Sequence, residues 1–118
     1  MIMKIDAIVR AEKFEDVKNA LMEIEVNGLT VSQVMGCGLQ RGYKEIVRGM
    51  EVEPQMQPKV KFEIVVSSEE WAEKTIEAIK KAAYTGEFGD GKIFSYPVAS
   101  ATKIRTGETG YDAVQCQE

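Results

Sequence analysis

Histidine is absent from this 118-residue chain, and cysteine occurs only as Cys37 and Cys116. The first absence removes Ser-His-Asp and Cys-His catalysis, imidazole-bound zinc and imidazole pH switching together. The two cysteines stand too far apart for a C-x-x-C pair, which leaves neither a metal knuckle nor a thioredoxin-like motif and points to free thiols in a reducing compartment. No apolar run approaches the ~20 residues of a membrane span. The start, Met1 to Ala7, lacks the separate basic and apolar regions of a signal peptide, so a cytoplasmic protein is expected. Positive charge is also short: 15 Lys and Arg face 19 Asp and Glu, for a net charge of −4. A phosphate backbone would find no basic footprint here, and nucleic acid is not an expected partner.

What remains is 44% hydrophobic and 29% charged, the balance of one domain spanning 1–118 with a real but thin core that oligomerisation would help. Met3, Ile5, Ala7 and Val9 alternate with Lys4, Asp6 and Arg10, the period of a half-buried strand, with Ile8 interrupting the polar side. Phe14, Val17, Leu21 and Ile24 recur at helical spacing and stop at Asn27-Gly28; Leu29 to Gly36 is extended again. The same order then repeats. Val60, Phe62, Ile64 and Val66 form a strand, Ser67 to Glu70 offers a capping box, and Ala72, Ile76, Ile79 and Ala83 form a helical stripe. Lys92 to Ile104 supplies a last strand, with Pro97 suggesting an edge position. Two strand-helix-strand halves predict an α+β, ferredoxin-like βαββαβ sandwich with an antiparallel sheet.

Two segments escape this periodicity. Between Gly38 and Pro58 neither period holds, yet charged residues mix with Ile46, Val47, Met50, Val52 and Met56, a composition suited to a partner surface or to a mobile hairpin extension. Between the second helix and the last strand, Thr85-Gly86-Glu87-Phe88-Gly89-Asp90-Gly91-Lys92 combines glycines, a hydroxyl, a carboxylate and a lysine. Glycines let successive N–H groups converge on one oxyanion, although such a turn also serves as a plain connector. Gly86 to Lys92 fits G-x-x-x-x-G-K, but Ile93 replaces the magnesium-binding hydroxyl and the loop runs from helix to strand, which excludes a P-loop. Lys103 and Arg105, two residues apart on the expected strand, add a cationic pair of the kind a nucleotide's phosphates require.

Over essentially its whole length the chain resembles the PII family of nitrogen-regulatory signal proteins. Gly36-Cys37-Gly38-Leu39-Gln40-Arg41-Gly42 is similar to the entry of that family's T-loop, and Pro58-Lys59-Val60-Lys61-Phe62-Glu63-Ile64 to its exit. Thr85 to Phe94 resembles the B-loop, and Ile104-Arg105-Thr106-Gly107 the C-terminal signature. The resemblance implies a homotrimer binding ATP or ADP in clefts between subunits, a T-loop at about 38–57, a B-loop at about 84–92 and a C-terminal tail at about 105–118. It implies a sensor, not an enzyme. Thr30, Gly36 and Gly38 would lie on the nucleotide's adenine side, Gly89, Asp90, Gly91, Lys92 and Lys103 would line the phosphate side, and Arg105 would reach in from the adjoining chain. Gln40 would help hold magnesium and 2-oxoglutarate, with Lys59 on the oxoacid's carboxylate. Arg48, Glu45 and Glu51 would meet a membrane transporter, foremost an ammonium transporter that recruits the protein to the membrane, or a nitrogen-metabolism enzyme.

Departures from the family pattern carry expectations of their own. Leu39 stands where relatives have a phosphate-directed arginine, and Lys103 exchanges another arginine's planar fork for a point charge. Val52 replaces the tyrosine that relatives present for uridylylation, so control by ligand occupancy alone is expected. The same departures leave open a regulator of a different transporter without 2-oxoglutarate sensing. A slow nucleotide hydrolase using Asp90 or Glu45 lacks a proper base.

Overall fold

The computed structural model describes residues 1–26, 28–38 and 55–114. Strand β1 (Met3–Arg10) leads through a 3-10 turn, Ala11–Lys13, into helix α1 (Phe14–Glu23), followed by β2 (Leu29–Gly38). Strand β3 (Gln55–Val66), helix α2 (Glu69–Ala83) and strand β4 (Gly91–Pro97) repeat the pattern, and a short helix α3 (Tyr111–Val114) ends it. The strands lie in the order β2-β3-β1-β4, every neighbouring pair antiparallel, which is the expected ferredoxin-like sandwich. Among the described residues no helix is long and apolar enough to cross a membrane.

The period-2 alternation of β1 sets the core. Ile5, Ala7 and Val9 are buried against the helices, as are their β3 neighbours Ile64, Phe62 and Val60, and Val66 opposite Met3. Val17 and Leu21 of α1 and Ala72, Thr75, Ile79 and Ala83 of α2 close over them, and Phe14 stacks on Phe62 at 5.8 Å between ring centroids. Thr75 takes the place expected for Ile76 at the centre of the buried stripe, its hydroxyl satisfied by the carbonyl of Trp71 at 2.8 Å. The other face of the sheet carries Lys4, Asp6, Ile8 and Arg10 of β1, half-buried and without a helix over them. On that face Lys4 bonds Glu63 at 2.8 Å, and Tyr96 donates to Asp6 at 2.7 Å. Met22, Met35 and Met56 are more than half exposed, so they belong to the surface rather than to the packing.

Several boundaries differ from expectation. Helix α1 stops before Asn27-Gly28, because Glu25, at φ 66°, takes the left-handed position of a Schellman motif. Its N–H bonds Met22 and that of Val26 bonds Leu21. The α2 cap is Ser68, accepting from Trp71 N at 3.1 Å, with no acidic partner to complete a box. Strand β2 runs on to Gly38 and β3 begins at Gln55, so residues 55–57, expected in the loop, pair with 36–38. Pro58 is tolerated because it lies one residue past the last β1 partner, Arg10↔Lys59, where β3 has a neighbour on one side only.

The largest correction concerns the last strand. It ends at Pro97, opposite Met3, where antiparallel β1 begins; Val98 N still reaches Ile2 O at 2.9 Å and the ladder stops. Lys103 and Arg105 therefore do not share a strand face. They lie in a turn bounded by a Thr102↔Thr109 bridge and closed by bonds from Gly107 N to Lys103 O and from Lys103 N to Glu108 O. The part of the tail from Thr109 to Val114, which lacks sequence periodicity, forms that bridge and α3.

Candidate functional site

At the Arg10 end of the sheet the chain leaves α2 through Tyr84 and returns as β4 at Gly91. The intervening loop is organised around the Asp90 carboxylate. It accepts hydrogen bonds from Thr85 N at 2.8 Å, the Thr85 hydroxyl at 2.5 Å and Gly86 N at 2.9 Å, and pairs with Arg10 Nε at 3.0 Å. The Thr85 hydroxyl in turn accepts from Glu87 N at 3.1 Å. Foremost the Thr85 hydroxyl, then the Thr85 N–H, the Arg10 guanidinium and the Gly86 N–H, hold the Asp90 carboxyl far below the usual carboxylate range, against the opposing effect of burial.

Glycine is required at Gly91. Its φ is +105°, and a Cβ there would lie 1.8 Å from the carbonyl oxygen of Ile8, so the loop re-enters the sheet at backbone contact with β1. Gly86 and Gly89 also hold left-handed φ angles, of 87° and 103°.

Two cations from the sheet grip the same loop. Arg10 Nη2 donates to Phe88 O at 2.7 Å, and Lys59 Nζ donates to Gly89 O at 2.5 Å. Arg10 and Lys59 are direct partners across β1 and β3. The Lys59 stem lies across Gly36 of β2, where a Cβ would come within 3.1 Å of Lys59 Cγ. Gly36, Lys59, Gly89, Asp90 and Gly91 thus meet at one end of the sheet, and Lys92 sits opposite Ile8 on the uncovered face. Arg10 does not stand out as a site residue in the sequence, since a polar residue ending an alternating strand is common; the Thr85 hydroxyl, one of the loop's polar groups, turns onto Asp90.

The remaining candidates lie elsewhere. Thr30 pairs with Glu63, six residues along β2 from Gly36 and therefore ~20 Å away. The segment carrying Lys103 and Arg105 follows Pro97, at the far end of the sheet. It is anchored there: α3 lines a cavity of about 190 Å³ with Val65, Val66, Ser67 and Trp71. The cationic pair and the glycine loop lie at opposite ends of the sheet, because β4 runs away from the loop from Gly91 to Pro97 and the Lys103–Arg105 segment follows its far end. Gln40, Glu45, Arg48, Glu51 and Leu39 lie outside the described residues, and Gly38 ends β2 opposite Gln55, two residues along the strand from Gly36.

Comparison with known proteins matches this geometry to one family. The profile of nitrogen regulatory protein P-II matches residues 2–108. Nitrogen regulatory protein P-II 1 of Methanothermobacter thermautotrophicus is 52% identical over 111 residues, covering 94% of this chain and 96% of that protein. The P-II protein of Rhizobium meliloti is 49% identical, covering 94% and 98%. Among solved structures, B. subtilis GlnK is similar with a TM-score of 0.78 at 40% identity, covering 95% of this chain and 97% of that one. The Arabidopsis thaliana PII bound to citrate is similar with a TM-score of 0.76 at 39% identity, covering 95% and 91%. With its sandwich topology, its glycine loop and nine-tenths of its length matched, the chain belongs to the nitrogen regulatory protein P-II family.

Proposed function

We propose that this chain is a binding regulator, not a catalyst, that takes ATP or ADP into a cleft formed between copies of itself. The observation that carries the reading is the separation of its two candidate half-sites. Gly36, Gly89, Asp90, Gly91 and Lys92 stand at one end of the sheet, and the Lys103–Arg105 turn is anchored at the other. One chain cannot bring both to one polyphosphate, whereas a head-to-tail ring of three, closed by rotation, brings Arg105 of each copy to the glycine loop of the next. The uncovered sheet face, with half-buried Ile8 and exposed Phe94 and Tyr96 beside it, supports such an assembly. Gly38 lies on the adenosine side, and Thr30, six residues along β2 from Gly36, joins it from a neighbouring copy.

The output passes through residues 38–57, with Arg48, Glu45 and Glu51 as partner contacts. The partner is a membrane transporter, foremost for ammonium, or a nitrogen-metabolism enzyme. Val52 has no hydroxyl, so occupancy rather than nucleotidylation sets the state of the loop. Magnesium and 2-oxoglutarate would enter at Gln40 and Lys59; the citrate of the Arabidopsis relative supports an affinity for small carboxylates in the family. Calorimetric titration with ATP and ADP, combined with light scattering of the eluting species, tests the reading. Binding by a trimer is expected, and a monomer or the absence of binding at millimolar nucleotide overturns it.

One observation favours a second reading, a nucleotide-dependent regulator of another transporter that does not sense 2-oxoglutarate. The Lys59 ammonium is already bonded to Gly89 O, so an incoming carboxylate must compete with that carbonyl. Titration with 2-oxoglutarate in the presence of Mg-ATP separates the two: heat supports the sensor, and its absence supports the second reading.

A further inference from the structure

The geometry points to Arg10 and Asp90 as positioning residues that hold the 84–92 loop with its N–H groups turned outward for phosphate, an inference that rests on the nucleotide-binding reading above. A trans peptide unit directs its C=O and the following N–H to opposite sides, and the described chain contains no cis bond. Arg10 takes the carbonyl of Phe88, which turns the N–H of Gly89 the other way. Lys59 takes the carbonyl of Gly89, which turns the N–H of Asp90 the other way. Two successive donors are thereby presented on the side opposite the two cations, in a stretch where Gly89 and Gly91 have the left-handed φ angles of an anion-binding nest.

Asp90 completes the device. A carboxylate next to a polyphosphate would by charge alone repel it, yet here the charge is turned inward onto Thr85, Gly86 and Arg10. It fixes Thr85 and Gly86 and anchors the guanidinium that orients Phe88. Arg10 therefore serves the carboxylate and the carbonyl at once, through Nε and Nη2. The loop is built before the ligand arrives, so binding does not have to supply its ordering.

Charge and position predict opposite signs, which makes the inference testable. Asp90→Asn removes a negative charge beside an anionic ligand; if charge were all that mattered, ATP would bind more tightly. The positioning role predicts roughly tenfold weaker ATP and ADP binding, with adenosine, measured by competition, unchanged, because the N–H groups face phosphate only. Thr85→Val, which loses only the hydroxyl bond, is expected to weaken ATP in the same direction by a smaller factor. The double variant Arg10→Met with Asp90→Asn is expected to lose little more than the weaker binder of its two single variants, as befits a unit.

Wild-type protein that binds no ATP refutes the nucleotide reading itself. Wild-type protein that binds ATP while folded Asp90→Asn and Thr85→Val bind it equally or more tightly overturns the inference and leaves that reading standing. Equal loss for adenosine and ATP assigns the pair to general stability, and also overturns it.

Discussion

Replacing Gly91 with alanine isolates the contact on which the glycine loop depends. At φ +105° an L side chain costs about 1–3 kcal/mol in backbone strain alone. The added Cβ would also start 1.8 Å from Ile8 O, a backbone atom with no rotamer to retreat into. Strands β1 and β4 must then separate by roughly 1 Å at the Val9–Gly91 end, which loses one or two ladder bonds at about 1 kcal/mol each. The expected cost is about 3 kcal/mol, or a fall in Tm of about 12 °C for a domain of this size. Gly107→Ala is the control. Its φ of +77° is equally unfavourable to alanine, but nothing lies within 4 Å of the new methyl, so about 1 kcal/mol is expected. Urea or thermal unfolding of both variants at one fixed protomer concentration gives the comparison, since assembly would otherwise shift Tm by mass action. Equal losses for the two variants would refute the claim that close approach to β1, rather than φ alone, selects glycine at position 91.

Other perturbations follow from the same structure. Glu25→Gly is expected to stabilise the chain by about 0.5–1 kcal/mol, because the left-handed helix terminus is then occupied by the residue it favours; an unchanged or lower Tm would contradict the Schellman assignment. The depressed Asp90 pKa contributes stability that is complete above the unfolded value near 3.9 and is lost as pH falls from there toward the folded value. The stability gap between wild-type and Asp90→Asn should therefore be constant from pH 5 to 8 and close below pH 4. Lys4 is raised above its usual 10.5, mainly by its bond to Glu63, and Tyr96 above its usual 10.0, mainly by its bond to Asp6. The stability they contribute is present at neutral pH and lost as pH rises past those values, so Lys4→Met and Tyr96→Phe should flatten the alkaline limb of a pH-stability profile. Intact-mass spectra from cells grown on scarce and abundant nitrogen are expected to show no nucleotidyl adduct; one on residues 38–57 would overturn control by occupancy alone.

The architecture was legible because it is written in periodicity. The alternation in β1 and the stripe Val17-Leu21 each report one buried face, and two copies of the order leave little choice of topology. What escaped were features set by a neighbour rather than by the segment itself. Lys92 to Ile104 looked like one strand because its own residues permit it, but a strand persists only while its partner does, and antiparallel β1 begins only at Met3, opposite Pro97. Residues 55–57 read as loop because three residues, Gln55, Met56 and Gln57, are too few to set a period next to Pro58, yet β2 extends alongside them. The glycine loop was visible through its glycines; the arginine that holds it comes from the opposite end of the chain, and no local pattern could announce a contact across 80 residues.

The overhang of β2 and β3 beyond β1 gives the site its mechanical setting. Among the described residues, β2 and β3 pair only with each other from Met35↔Pro58 to Gly38↔Gln55, past the last β1 partner, and so form a two-stranded ribbon there. Such a ribbon is marginal by itself and needs support from the body it leaves. Part of that support passes through Lys59, whose stem crosses Gly36 at the ribbon's root and whose ammonium is bonded to the glycine loop. A ligand that moves Gly89, or an anion that draws Lys59 from its carbonyl, therefore acts at the root of the ribbon and not at its tip. For the proposed regulator the Lys59–Gly89 contact is a single charge-assisted hydrogen bond, a class worth about 1.5–3 kcal/mol, which is enough to shift a two-state balance by tenfold or more.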